Sequence, residues 1–274
     1  MRIRLLAAVL PSILLTGCLQ STTIVKVNAD GSGTLDNQTL MTAAALAQVR
    51  QLSGVLGGSN TKPFDPFSEE QARTFASQMG EGVTLLSSMP ARTATAEGRA
   101  SVFGFRDVTK LRVSQTPPTP GDTSIRAGGL GLGGDQGSSM VTIEMTRTPA
   151  GNALLTLHTG GDPLSALLNQ VGSLNRGGGQ LPPDQMAMIR QMLAGMHVAL
   201  RVEPMGRLIR TNSPYVDGQT VTLFDFDVDT LLKDEEAFAR LQSASTPAET
   251  TEALKRAPGV KIAAERDITI EFAP

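Results

Sequence analysis

The chain has 274 residues, and its 24 Lys and Arg against 26 Asp and Glu give a formal net charge of −2, which leaves no basic surface of the kind a nucleic acid requires. It has no Trp, one Tyr (Tyr215) and nine Phe, which excludes a stacking platform for bases or sugars. Eleven Met, with many Ala and Leu, must fill the interior instead, and such interiors adapt to irregular spaces and permit a hydrophobic ligand.

Residues 1–18 open with Arg2 and Arg4, followed by an apolar run from Leu5 to Leu15 broken only by Pro11 and Ser12. A charged start, an apolar middle and a small-residue end make a secretory signal. The run is too short for a membrane-spanning helix, which needs about 20 apolar residues. Its end, Leu15-Thr16-Gly17-Cys18, resembles the lipobox of bacterial lipoproteins. That resemblance implies a diacylglyceryl group on the Cys18 thiol, cleavage before Cys18, and acylation of the new amine with a palmitate-like chain. Cys18 is the sole cysteine, so no internal disulfide competes for it. Two acyl chains suffice for stable anchoring where one is marginal. Leu19 and Gln20 follow, with no Asp at the second position, and by the same resemblance this favours the outer membrane, facing the periplasm.

Residues 22–29 are β-branched and loosely alternating, and with Asp30-Gly31 and residues 34–42 they predict a hairpin. Leu46, Val49, Leu52 and Leu56 predict a helix over 43–56. Ser68 and Gln71 form a capping box for a helix whose apolar face is Ala72, Phe75, Ala76 and Met79. Strands are expected at 83–90 and 99–106. Residues 114–139 are rich in Pro, Gly and Ser and read as a flexible loop. It is either a domain boundary or an insertion.

A second hairpin joins 140–147 to 153–159. Helices are expected at 163–171 and 183–195, and strands at 197–203, 206–212 and 219–228. Residues 231–242 then read as a helix, with Leu231, Phe238 and Leu241 inward. Thr246-Pro247-Ala248-Glu249 is a second capping box, and 261–272 ends the chain as one strand or two. Hairpins with helices at irregular intervals predict an α+β fold with antiparallel sheet. The organisation is a signal peptide at 1–17 and one mature α+β domain at 18–274.

The stretch Leu200 to Leu223, containing Pro204-Met205-Gly206 and Gly218-Gln-Thr-Val221, resembles a hairpin of LppM-type lipoprotein domains. The opening Val27-Asn-Ala-Asp-Gly-Ser-Gly33 resembles the same group. Met205 separates the Pro and Gly, and Leu223 stands where that family has Trp. The resemblance implies a lipid-anchored domain with a curved sheet and a hydrophobic or phospholipid ligand, without catalysis.

Four patterns carry possible chemistry. Asn28-x-Asp30-Gly31-Ser32-x-Thr34 mimics the middle of a calcium loop, but Lys26 at the first ligand position and Asn37 at the twelfth defeat it, leaving a hairpin turn. Asp225, Asp227 and Asp229 alternate with Phe226 and Val228. On one strand their carboxylates would share a face and could hold a hard cation or act as an acid/base pair; the plainer reading is a solvated face with Asp229 capping a helix. The glycines of 128–134 lack the strand and helix that a dinucleotide loop needs. His158 and His197 sit in strand-like runs, without a nucleophile elbow or enough partners for zinc, and read as structural. No cofactor and no metal is expected. The expected function is a lipid-anchored, non-enzymatic binding or structural module of the envelope. Its partners are the membrane through Cys18 and a hydrophobic ligand or another envelope protein. The alternative is an assembly or transport accessory acting by protein contact, and the least favoured is a hydrolase using Asp225 and Asp227.

Overall fold

The computed structural model describes residues 19–47, 50, 65–114, 140–159, 194–244, 246–263 and 265–274. The signal segment with Leu15, Thr16, Gly17 and Cys18, the loop 115–139 and the helices expected within 160–193 lie outside them. Residues 194–195 form a turn.

Strands β1 (Leu19–Val27) and β2 (Gly33–Thr42) form the first hairpin, with Val27 opposite Gly33. Its turn closes on itself: the Ser32 amide and hydroxyl donate to Asp30 Oδ1 at 2.9 and 2.6 Å, and Gly31 has φ +90°. Lys26 pairs with Asp36 at 2.7 Å across the hairpin. Residues 43–47 continue as helix.

Helix α1 (Glu69–Gln78) starts at Ser68, whose Oγ accepts the Gln71 amide at 3.2 Å. Only half of the expected capping box forms, because the Ser68 amide donates to the Asp65 carbonyl instead, at 3.1 Å. Ala72, Ala76 and Met79 are buried as predicted, and Phe75 meets Phe103 edge-on at 5.8 Å. The chain leaves the helix through Gly80 at φ +131°, where a Cβ would run into the Lys110 carbonyl. Only glycine takes that conformation with that close approach.

Next come β3 (Thr84–Arg92), β4 (Ala96–Phe105), a 3-10 turn at Val108–Lys110 and β5 (Arg112–Ser114), the last two unforeseen. The second predicted hairpin is β6 (Met140–Arg147) with β7 (Ala153–Thr159). Then follow β8 (His197–Pro204), β9 (Arg207–Thr211), β10 (Val216–Asp217) and β11 (Thr220–Asp227). Helices α2 (Val228–Lys233), α3 (Glu235–Ser243) and α4 (Pro247–Lys255) precede β12 (Val260–Ile262) and β13 (Asp267–Ala273).

The strands form two sheets. The first runs β10-β11-β8-β1-β2-β4-β3, with β12 also on β11; the second runs β5-β6-β7-β13-β9. The fold is α+β, as the sequence predicts. Pairing is antiparallel except between β1 and β8, which run parallel with Gln20 beside His197. The segment 200–223 corrects the hairpin reading, since β8 and β9 do not pair. Pro204-Met205-Gly206 carries the chain from the first sheet to the second, where β9 joins β13. A Cβ on Gly206 would meet the Ala273 carbonyl, so this crossing also depends on a missing side chain.

Alternation builds the core. Val25, Val27, Leu35, Phe103, Leu200 and Val202 of the first sheet face Val141, Ile143, Leu155, Leu157, Ile268, Ile270 and Phe272 of the second. Each set lies at every second strand position, as a half-buried pleat requires. Two smaller clusters flank this core. Phe226, Val228, Leu231, Ala237, Leu254 and Val260 bury α2–α4, and Leu19 packs against Met41, Ala45, Leu46 and Phe67. The helix expected over 231–242 is broken at Asp234, whose carboxylate accepts the Ala237 amide at 2.8 Å and starts α3 afresh. The box at Thr246 and Glu249 forms in both directions, each bond 3.2 Å.

Candidate functional site

Apart from His158, the titratable residues singled out in the sequence gather on β8, β11 and the start of α2. Asp225 stands opposite Ala199, so its carboxylate lies between the two outward residues on either side, His197 and Arg201. His197 Nε2 is 2.8 Å from Oδ1, and Arg201 donates to Oδ2 at 2.8 Å. Asp225 is half-buried and both oxygens are occupied. Burial pushes this carboxyl upward, but the hydrogen bonds from His197 and Arg201 outweigh it and hold Asp225 below the usual range. The same contact with Asp225, opposed by burial, raises His197 above its ordinary 6.5.

Asp227 and Asp229 do not continue that ladder. The strand ends at Asp227, which is itself the N-cap of α2, correcting the assignment of that role to Asp229. Burial raises Asp227, but the Thr230 hydroxyl at 2.7 Å and amide at 3.1 Å more than offset it, leaving it below the usual range. Asp229 falls in the first turn of α2 and accepts the Gly195 amide at 2.6 Å. The three carboxylates therefore answer to three different partners. No group of three His, Cys, Asp or Glu side chains forms a metal-holding cluster among the described residues.

Capping makes a specific demand on Asp227. Asp227→Ala is expected to lower unfolding free energy by about 1 kcal/mol, and Asp227→Asn, which still caps, by a few tenths. Urea denaturation of both variants checks this; equal losses would rule out the capping role.

On the second sheet, His158 faces Asp267, its cross-strand partner, with Nδ1 2.8 Å from Oδ1. Glu144 lies 3.5 Å from Nε2, yet that nitrogen is buried without a hydrogen bond. The Asp267 contact raises His158 above its ordinary value. Both histidines thus lean on carboxylates of neighbouring strands, as structural histidines do.

These pairs set a pH dependence. A histidine raised in the folded state contributes stability that is complete below its unfolded value of 6.5 and is lost as pH rises through the higher folded value. Asp225, lowered in the folded state, contributes stability that is present above its ordinary 3.8 and is lost as pH falls through the lower folded value. The melting temperature is expected to fall as pH rises from 6.5 through the raised folded values of His197 and His158. His197→Gln should flatten that fall while His158 retains part of it, and an unchanged slope in the variant would refute the pairing.

One polar group escaped the sequence reading. On the inner face of the first sheet, Thr39 donates to Asn37 at 3.1 Å, Asn37 donates to Thr23 at 2.9 Å, and Ser21 lies 3.4 Å from Thr39. Arg99 donates to Ser88 at 2.8 Å, Ser88 meets Ser101 at 3.0 Å, and Arg99 also reaches the Phe67 carbonyl. This belt separates the main core from the cluster around Leu19, and its members satisfy one another, which is what burial demands. The signal was parity: Ser21 and Thr23 fall on the same face as Val25 and Val27.

A scan against protein-family models finds no match, and neither does a search of curated proteins. Among solved structures, the chain is similar to the folded domain of LppM from Mycobacterium tuberculosis, determined by NMR. The identity is 10% and the TM-score 0.33, over 96% of this chain and 94% of that one. A TM-score of 0.33 is too low for any residue or property of that domain to be carried over.

Proposed function

We propose that this chain is a lipid-anchored protein of the bacterial envelope, tethered through Cys18, that works as a binding or structural module without catalysis. The observation that carries it is a coincidence of position. The lipobox-like Leu15-Thr16-Gly17-Cys18 ends an export signal on the chain's sole cysteine, and the next residue, Leu19, already belongs to β1, paired with Met41. Cleavage before Cys18 would remove the signal and leave every described strand intact. The side chains that could have supported hydrolysis support the non-catalytic reading instead. Asp225 is held by His197 and Arg201, and Asp227 by Thr230. With Leu19 and Gln20 after the cysteine, the anchor belongs in the outer membrane, facing the periplasm.

A second reading, an assembly or transport accessory acting by protein contact, draws on β3. This edge strand presents Leu86 and Met89 at 60% and 63% exposure, a hydrophobic edge of the sort that partners pair with. Lipid co-purifying with the 19–274 protein favours the ligand-binding form of the module; its absence, with a partner captured by crosslinking, favours the accessory.

Mass spectrometry of protein extracted from membranes tests the anchor itself. The expected mature N-terminus is Cys18 bearing a diacylglyceryl group and an amide-linked acyl chain. An unmodified Cys18, or a retained residue 1–17 segment, would overturn the reading.

A further inference from the structure

We propose that the Leu19 end of the first sheet is a membrane-contact surface, held against the headgroup layer of the bilayer that carries the anchor. The inference rests on lipidation of Cys18 and adds what the fold makes of it. Leu19 is peptide-bonded to Cys18 and already belongs to β1, opposite Met41. A flexible tether of n residues lets a domain roam by about 5–6 Å × √n, but here no residue lies between the lipid-bearing cysteine and the sheet. Leu19 is also fixed by its side chain, which packs against Met41, Ala45, Leu46 and Phe67. The strand end cannot peel away as a substitute tether without exposing that cluster.

The position of β1 widens the contact. It lies inside the sheet, between β2 and β8. At the level of Leu19 and Gln20 stand His197 of β8 and, beside it, Asp227 of β11. On the other side stand Met41 of β2, Glu97 of β4 and Arg92 of β3. These positions on both sides of the anchor share one end of the sheet, where β2 runs on into the helical residues 43–47 and β11 into α2. The opposite end is remote. The nine residues of β1, at about 3.3 Å each, place Val27 roughly 26 Å from Leu19. Met205, whose amide donates to the Val27 carbonyl at 2.8 Å, marks that far end.

The test uses the full lipidated protein in phosphatidylethanolamine–phosphatidylglycerol vesicles doped with a headgroup nitroxide lipid. Lipidation consumes the Cys18 thiol, so a cysteine introduced at Arg92 (side chain 77% exposed) or at Met205 (51% exposed) takes a fluorescent label alone. Arg92→Cys is expected to be quenched several-fold more than Met205→Cys. Equal, weak quenching at both sites would overturn the proposal by showing a domain that stands off. Equal, strong quenching would overturn it by showing a domain that lies flat. Mass spectrometry of the same vesicles separates these failures from failure of the anchor, which would appear as an unmodified Cys18.

Discussion

Cys18→Ser is expected to shift the protein from the membrane fraction to the soluble fraction. Each buried methylene of an acyl chain contributes about 0.8 kcal/mol, and two chains make anchoring stable; serine lacks the thiol on which the proposed diacylglyceryl group would sit. No described helix is long and apolar enough to cross a membrane. The apolar run of 5–15, if retained, is also too short to span. Fractionation followed by a carbonate wash measures the effect. Undiminished retention after the wash would sink the lipid-anchor reading.

Phe272→Ala is expected to cost about 3–5 kcal/mol, the range for emptying a fully buried phenylalanine site. Phe272 has 0% exposure. It sits on β13, which is bonded on both sides, to β7 and β9, so neighbouring backbone cannot readily close over the void. Against a total stability of about 5–15 kcal/mol, that loss brings the protein close to unfolding at room temperature. Urea denaturation should show a lower midpoint with an unchanged slope, and Phe272→Leu should recover most of the difference. A loss under about 1 kcal/mol would mean that the two sheets do not share the core described above.

Local signals in the chain translated well into structure. The Asp30-Gly31 turn, the 140–159 hairpin and the capping residues at Ser68 and Thr246 all depend on neighbours within a few positions. Gln71 shows where such reasoning stops, because the backbone of Asp65 took the bond that the box reserved for it. Which strands pair was not legible. The parallel contact of β1 with β8 joins residues far apart in sequence, and nothing in either strand names the other. The crossing at Pro204-Met205-Gly206 looked like a hairpin because Pro and Gly mark a change of direction without saying into which sheet. The site behaved alike. His197 and Asp225 each stand out in the sequence, but their union with Arg201 needs the register of β8 against β11. Placing three aspartates on one strand failed because Asp227 satisfies the first free amides of α2 and so ends the strand.

The order of strands has a consequence for how fast the molecule can form. β1, the first strand, needs β8 beside it, and β13, the last described strand, fills the gap between β7 and β9. Contacts of such long sequence separation require large loops to close before any stabilisation is returned, and they slow folding by orders of magnitude relative to local topologies. A chain emerging amino end first therefore cannot complete either sheet until almost all of it is available. Until β8 emerges, the β1 edge of the β1–β2 hairpin waits unpaired, open to aggregation or to a holding chaperone.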